Sequence, residues 1–229
     1  MSSLFKSRHI PAAVALTVGI ALLVFAWPRF VGGAIIAPDE DLPRKLARDI
    51  PVSQRQIDAA REEATVSARW FVYGKTLNFN GALELIQASR AKSAPDQRAA
   101  LAKSQALLRA GLMRTPADSC GWMQLAQATR ALNGATPALN SQLRMSLRTA
   151  PFEHRLIIPR LDVAFKSWNA LSPDLKAAMT GQILRAVDTA PRALARATRR
   201  NFALRQVRQA VETSEIHKRR FDIVYSARD

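Results

Sequence analysis

The sequence predicts an all-α protein: an N-terminal transmembrane helix, then helical hairpins arranged as a solenoid or a helical bundle. Three observations lead there. An uncharged apolar run, IPAAVALTVGIALLVFAW, occupies Ile10–Trp27. From Ser53 onward apolar residues recur at spacings of three and four, the period of one helix face. Glycine is scarce, 9 in 229 residues, and aromatics make up 7%, too few for a sandwich or barrel of many strands and Gly-rich turns.

The apolar run comes first. Its 18 residues at about 1.5 Å rise cover about 27 Å, close to the roughly 30 Å of a bilayer core. The candidate membrane-spanning residues are Ile10, Val14, Leu16, Ile20, Leu23, Phe25 and Trp27. Lys6 and Arg8 precede the run, and Pro11 falls in its first turn. Trp27 stands where an interfacial aromatic is favoured, and Pro28-Arg29 are expected to stop the span. A cleaved signal peptide with a site at Val31-Gly32-Gly33-Ala34 and a buried soluble helix are the rival readings. The run exceeds a signal peptide's apolar region of about 7–15 residues. It also lacks the polar stripe of a soluble helix, having only Thr17.

Lys6, Arg8 and the amino group crowd the short N-terminal side, whereas Arg29 stands alone until Arg44. That asymmetry sets the N-terminus inside and the rest of the chain outside the cytoplasm. The expected organisation is a short cytoplasmic N-terminus (1–9), a transmembrane helix (10–28), a proline-punctuated linker (29–52), a helical-repeat domain (53–191), and basic capping helices with a tail (192–229). The expected location is the inner, cytoplasmic membrane, single-pass, with a periplasmic or otherwise extracytoplasmic soluble domain.

The helices follow in order. Ser53 is a candidate N-cap for a helix with Ile57, Ala60, Ala64, Ala68 and Phe71 on one face. Asn80 is read as the cap of the next helix, carrying Leu83, Ile86 and Ala91. Ser93, with Pro95 close behind, opens a third, with Leu101, Ala102, Leu108 and Leu112. Three segments then end alike, at Pro116, Pro151 and Pro191. Each proline is preceded four residues earlier by Leu112, Leu147 or Val187, five earlier by small Gly111, Ser146 or Ala186, and eight earlier by Leu108, Leu143 or Ile183. Each reads as the last two turns of a helix: aliphatics fill the seam, a small residue admits a neighbour, and proline ends it.

The prolines lie 35 and then 40 residues apart. After Pro116 come Trp122, Leu125 and Ala126, then the turn Asn133-Gly134, then Thr136-Pro137 at N-cap and N1 of a second helix. This unit resembles the tetratricopeptide family, with its period of 34 and W-x2-L-G pattern. Thr129 in place of the family's aromatic and one extra residue are departures. A more divergent unit follows, with Leu161, Ala164, Phe165 and Trp168 on one face, Pro159 within it, and Ser172-Pro173 opening its partner helix. The unit before, from Phe79 to Pro116, keeps only the second-helix ending, so the resemblance covers residues 79–191. It implies a solenoid whose concave face holds a protein partner. A generic antiparallel bundle gives much the same pattern. The repeat-core residues are Leu108, Gly111, Leu112, Trp122, Leu125, Ala126, Leu143, Ser146, Leu147, Ile183, Ala186 and Val187, with Trp122 expected deep between its unit's helices. Phe202, Leu204, Val207 and Val211 suggest a capping helix. Phe221–Tyr225 reads as a short strand or an extended segment.

No catalytic constellation stands out. His9, His154 and His217 lie far apart, no Gly-rich phosphate loop occurs, and Cys120 is the only cysteine and is expected to be buried or half-buried. No enzyme activity, cofactor or metal is expected. The charge balance is the other signal: +16 net, with ten Lys or Arg between Arg185 and Arg220 against Asp188, Glu212 and Glu215. Arg192, Arg196, Arg199 and Arg200 are candidate anion-binding residues, suited to phosphate and carboxylate. Nucleic acid conflicts with an exterior location, and no basic element interleaved with aromatics occurs. The expectation is a single-pass membrane-anchored adaptor that scaffolds an envelope protein, in surface-polysaccharide export or membrane-complex assembly. The alternative is direct binding of an anionic lipid or polysaccharide.

Overall fold

The computed structural model describes residues 6–36, 42, 52–70 and 73–227. Among them the fold is all-α, with no strand. The chain divides into two compact units, residues 1–79 and 80–229.

In the first unit, α1 (Lys6–Ile36) and α2 (Gln54–Trp70) pack on one another. The helix α1 does not stop at Pro28-Arg29, and residues 29–36, expected as linker, are helical. The reason is local. Apolar residues resume at Phe30, Val31 and Ile35, and proline removes a single ladder bond. Nearby, Arg29 Nη1 donates to Phe25 O at 2.7 Å. The stretch Pro11–Ile35, 25 residues, is long and apolar enough to cross a membrane, and its residues 11–26 are exposed. Its lone hydroxyl is satisfied inside the helix, Thr17 Oγ1 donating to Ala13 O at 2.8 Å. The remainder of the expected linker, apart from Leu42 and Val52, lies outside the described residues.

Ser53 opens α2 with a capping box: Gln56 N–H donates to Ser53 Oγ at 3.2 Å, and Ser53 N–H to Gln56 Oε1 at 2.9 Å. Ile57, Ala60, Ala64 and Ser67 form its fully buried face, and Ser67 Oγ donates to Gly32 O of α1 at 2.7 Å. Ala68 is helical, but its side chain and Phe71 lie outside the described residues.

The helix α3 runs unbroken from Gly74 to Arg90 and crosses the division between the units. Asn80 therefore lies inside it rather than capping it. The buried Ala82 and Leu83 keep the face helical, so packing outweighs the weak helix propensity of asparagine.

The second unit continues with α4 (Ala94–Arg114), α5 (Ser119–Asn133), α6 (Pro137–Thr149), α7 (His154–Lys166), a short 3-10 turn (Trp168–Ala170), α8 (Pro173–Thr189), α9 (Pro191–Arg200), α10 (Leu204–Val211) and α11 (Glu215–Ser226). The three related endings are three helix C-termini closed by one bond. The N–H groups of Thr115, Ala150 and Ala190 donate to Gly111 O, Ser146 O and Ala186 O, the carbonyls of the three small residues. Asp118 and Glu153 then cap α5 and α7, each two residues after a proline. The helices α4, α6 and α8 begin at Ser93, Thr136 and Ser172, with proline in the first turn of each.

Side chains stitch these helices together. Gly81 lies so close to α4 that an added Cβ would sit 2.5 Å from Leu108 Cγ, and Ser104 Oγ donates to Gly81 O at 2.7 Å. Arg130 of α5 reaches Lys166 O at the same end of α7. Arg144 of α6 reaches Ser172 and Asp174 at the start of α8. The C-terminal ends of α5 and α7 therefore lie together. Met123, Leu139, Leu143, Leu161, Met179, Ile183, Val187, Val207 and Phe221 belong to one core.

Residues 221–225 are helical, not extended. Phe221 and Tyr225 stand one turn apart on the same face, their rings stacked at 5.1 Å, while Ile223 is exposed. The β-branched residues of that stretch lose to this i, i+4 packing.

Candidate partner groove and basic surfaces

Leu108, Gly111, Leu112, Leu125, Ala126, Leu143, Ser146, Ile183, Ala186 and Val187 are buried, and Leu147 is half-buried. Trp122 is also only half-buried, packing on Leu108, Leu112 and Leu125 while Nε1 donates to Pro116 O at 2.8 Å. Its neighbour Met123 takes the deep position. A tryptophan whose N–H must reach a turn carbonyl is drawn to the edge of the core.

Ser146 has an unexpected partner. Arg160 of α7 is fully buried. Its Nε donates to Ser146 Oγ at 3.0 Å, and Nη2 donates to Ser146 O at 2.6 Å and Ala150 O at 3.0 Å. The guanidinium thus neutralises the carbonyl end of α6. Burial lowers its pKa well below the ordinary arginine value, to about 10, opposed by Glu153 and Cys120. Its position on the apolar face of α7, beside Leu156, Ile157, Leu161 and Ala164, is the signal that sequence reasoning passed over.

Between α3, α4, α5, α7 and α9 a groove of about 510 Å³ opens. Leu85, Ala88, Leu101, Ala131 and Val163 provide apolar walls, and Arg130, Asp162, Lys166 and Arg200 provide charge. Arg200 Nη2 pairs with Asp162 Oδ2 at 2.6 Å, and Asn201 Nδ2 donates to Asp162 Oδ1 at 2.7 Å. Arg130 donates through Nη2 to Lys166 O at 3.2 Å, but its buried Nε has no hydrogen-bond partner among the described residues. Lys166 is exposed and its ammonium is unpaired among the described residues. Asp162 is thus fully engaged, and the groove keeps one exposed, unspent donor, the Lys166 ammonium.

The four arginines grouped from the sequence do not form one free patch. Arg192 and Arg196 are exposed and unpartnered among the described residues. Arg200 is the groove residue paired with Asp162. Arg199 Nη2 donates to Tyr225 O at 2.6 Å and Ala227 O at 2.9 Å, closing the C-terminal end of α11, and its guanidinium lies 5.0 Å from the Tyr225 ring. A separate basic groove of about 1010 Å³ lies between α10 and α11, lined by Arg205, Arg208 and Lys218 with Glu212 and Asp222.

Cys120 is exposed rather than buried, at the start of α5. His217 ties α11 to α8, its ring contacting Ser214 Oγ at 2.7 Å and Asp188 Oδ2 at 3.2 Å. Among the described residues no three His, Cys, Asp or Glu are grouped to hold a metal ion. No protein-family model, curated protein or solved structure matches the chain.

Proposed function

We propose that the protein is a single-pass membrane-anchored adaptor, and that α3 to α9 form a tetratricopeptide-like solenoid holding a protein partner in the groove lined by α3, α4, α5, α7 and α9. One observation carries this reading: the groove combines small apolar walls with an exposed donor that the described residues leave unspent, the Lys166 ammonium. A peptide rich in carboxylates or free carbonyls, with small apolar side chains between them, complements that surface. The exposed apolar length of α1 supports an anchor. The sparse basic residues after it support an extracytoplasmic soluble part at the inner membrane. An envelope assembly such as a surface-polysaccharide exporter is the setting this location suggests.

A photocrosslinker at Gln127, on the groove wall, tests the reading in the full chain in its own membranes. A discrete crosslinked partner is expected, lost when Ala131→Trp fills the groove and retained with the crosslinker-bearing chain carrying Arg208→Gln. A crosslink indifferent to Ala131→Trp refutes the groove. The α10–α11 groove supports the second reading, direct capture of an anionic lipid or polysaccharide by Arg205, Arg208 and Lys218. Binding there weakens steeply with salt, whereas binding in the apolar-walled groove changes little.

A further inference from the structure

The connections from one hairpin to the next lie along one edge of the second unit. They are residues 115–118 between α4 and α5, 150–153 between α6 and α7, and residue 190 between α8 and α9. Ser146 Oγ donates to Ser119 O at 2.9 Å and Arg185 Nη1 to Pro151 O at 2.8 Å, which holds these turns side by side. Two large apolar side chains stand out there. Met113, in the last turn of α4, is 85% exposed, and Phe152, in the next turn, is 67% exposed. The Arg185 guanidinium lies 4.1 Å from the Phe152 ring centre, covering one face and leaving the other open.

Around these tips Arg114, Arg148, Arg155 and Arg192 are exposed, and their guanidinium groups make no hydrogen bond or ion pair among the described residues. The acids of the same turns are engaged locally: Asp118 accepts from Gly121 N–H at 3.0 Å and Glu153 from Arg155 N–H at 3.3 Å. The edge is therefore a row of apolar tips among unpaired arginines. We propose that this edge docks on an anionic lipid bilayer, with Met113 and Phe152 entering the headgroup boundary and the four arginines pairing with lipid phosphates. Long arginine stems suit such a boundary, with the charge in the headgroups and the methylenes beside the apolar tips. A bilayer is favoured over an acidic protein by the chain's own apolar helix α1, which keeps one at high local concentration. To that extent the proposal rests on the anchor reading.

The test uses the full chain in vesicles, in a Cys120→Ser background. A fluorophore is attached at Met113→Cys or, at the α9–α10 turn on the opposite edge, at Phe202→Cys. A nitroxide-bearing lipid acts as quencher. In vesicles containing phosphatidylglycerol the probe at position 113 should be quenched and the probe at 202 should not. In pure phosphatidylcholine neither should be. Arg148→Gln with Arg155→Gln should lower the docked-to-undocked ratio about fivefold per arginine. High salt should act alike, because the screening length shrinks from about 8 Å at 0.15 M to about 3 Å at 1 M. Equal quenching at 113 and 202, or quenching indifferent to anionic lipid, overturns the proposal. Flotation with neutral vesicles reads the anchor separately. A chain that floats without quenching at 113 refutes the docking alone. A chain that fails to float refutes the anchor, and quenching at 113 on anionic vesicles still decides the edge.

Discussion

Arg160 is the largest of the fully buried side chains, and its charge works against its burial. Its pKa falls from the ordinary arginine value to about 10, so from about pH 10 upward the unfolded chain binds the proton more tightly. Stability from this group therefore rises with pH through that window, and below it the buried charge is a standing cost. What offsets the cost is the pair of carbonyls ending α6, Ser146 O and Ala150 O. Arg160→Ala should destabilise by about 3 kcal/mol, through lost charge-assisted bonds and a cavity. Arg160→Met, which keeps the volume and removes the desolvation, should lose less. Denaturant titration of the full chain in detergent checks both, and the parent should gain on the Met variant above pH 10. An Ala variant as stable as the parent refutes the account. Trp122 illustrates the opposite case. The pattern that flagged it is a family signature, yet Met123 fills the deep site and Trp122 keeps one edge on Pro116 O. Trp122→Ala should cost about 2 kcal/mol, less than the 3–5 kcal/mol of a fully buried aromatic. A loss of 4 kcal/mol or more by the same titration would show it to be a core residue.

Among elements, the ones legible in the sequence are those whose ends are set by local chemistry. The endings at Pro116, Pro151 and Pro191 were readable because a small residue and a proline at fixed offsets act within one helix. The capping box at Ser53 is equally local. What the sequence concealed depends on distant partners: α3 runs through Asn80 because Ala82 and Leu83 are buried, and α11 forms because Phe221 and Tyr225 meet the core. The free arginine patch dissolved for the same reason, since Asp162 and Tyr225 lie far from Arg199 and Arg200 in sequence. The end of α9 carries a local oddity. Ala203 N–H donates to Thr198 O and Phe202 N–H to Arg199 O, the paired bonds that close many helices. The residue in the left-handed position there is usually glycine, but here it is Phe202, with φ 53° and 93% exposure. Its ring gains nothing from the core, so the strain is uncompensated. Phe202→Gly should stabilise by about 1 kcal/mol, the relief of the left-handed penalty less glycine's extra unfolded-state entropy. Thermal melts of the parent and variant decide it, and a destabilised variant means that the ring has a packing role.

At the scale of the whole molecule, α1 from Pro11 to Ala26 is an apolar rod that the described residues leave exposed. Its large side chains from Val14 to Trp27 are between 52% and 69% exposed. Water does not favour so long an apolar surface, whereas a bilayer removes it from water, and the helix satisfies most of its backbone groups internally. The helix also bears on the rival of a cleaved signal. The candidate cleavage stretch Val31–Ala34 is helical, and Gly32 O accepts the buried bond from Ser67 of α2. We expect the packing that begins the first unit to shield that stretch from a peptidase, which needs it extended and free. The intact chain should therefore stay in the membrane fraction through high salt and alkaline carbonate, which remove proteins held by charge alone. Leu16→Arg with Leu23→Arg should release it, since each arginine near the centre of a span costs about 2.5–3.5 kcal/mol. Ser67→Ala should leave it in the membrane, because that bond lies at the far end of the rod. Mass spectrometry of the purified chain completes the test. A soluble protein beginning near Ala34 would mean that the Gly32–Ser67 bond forms too late to shield the site and that α1 is a leader rather than an anchor.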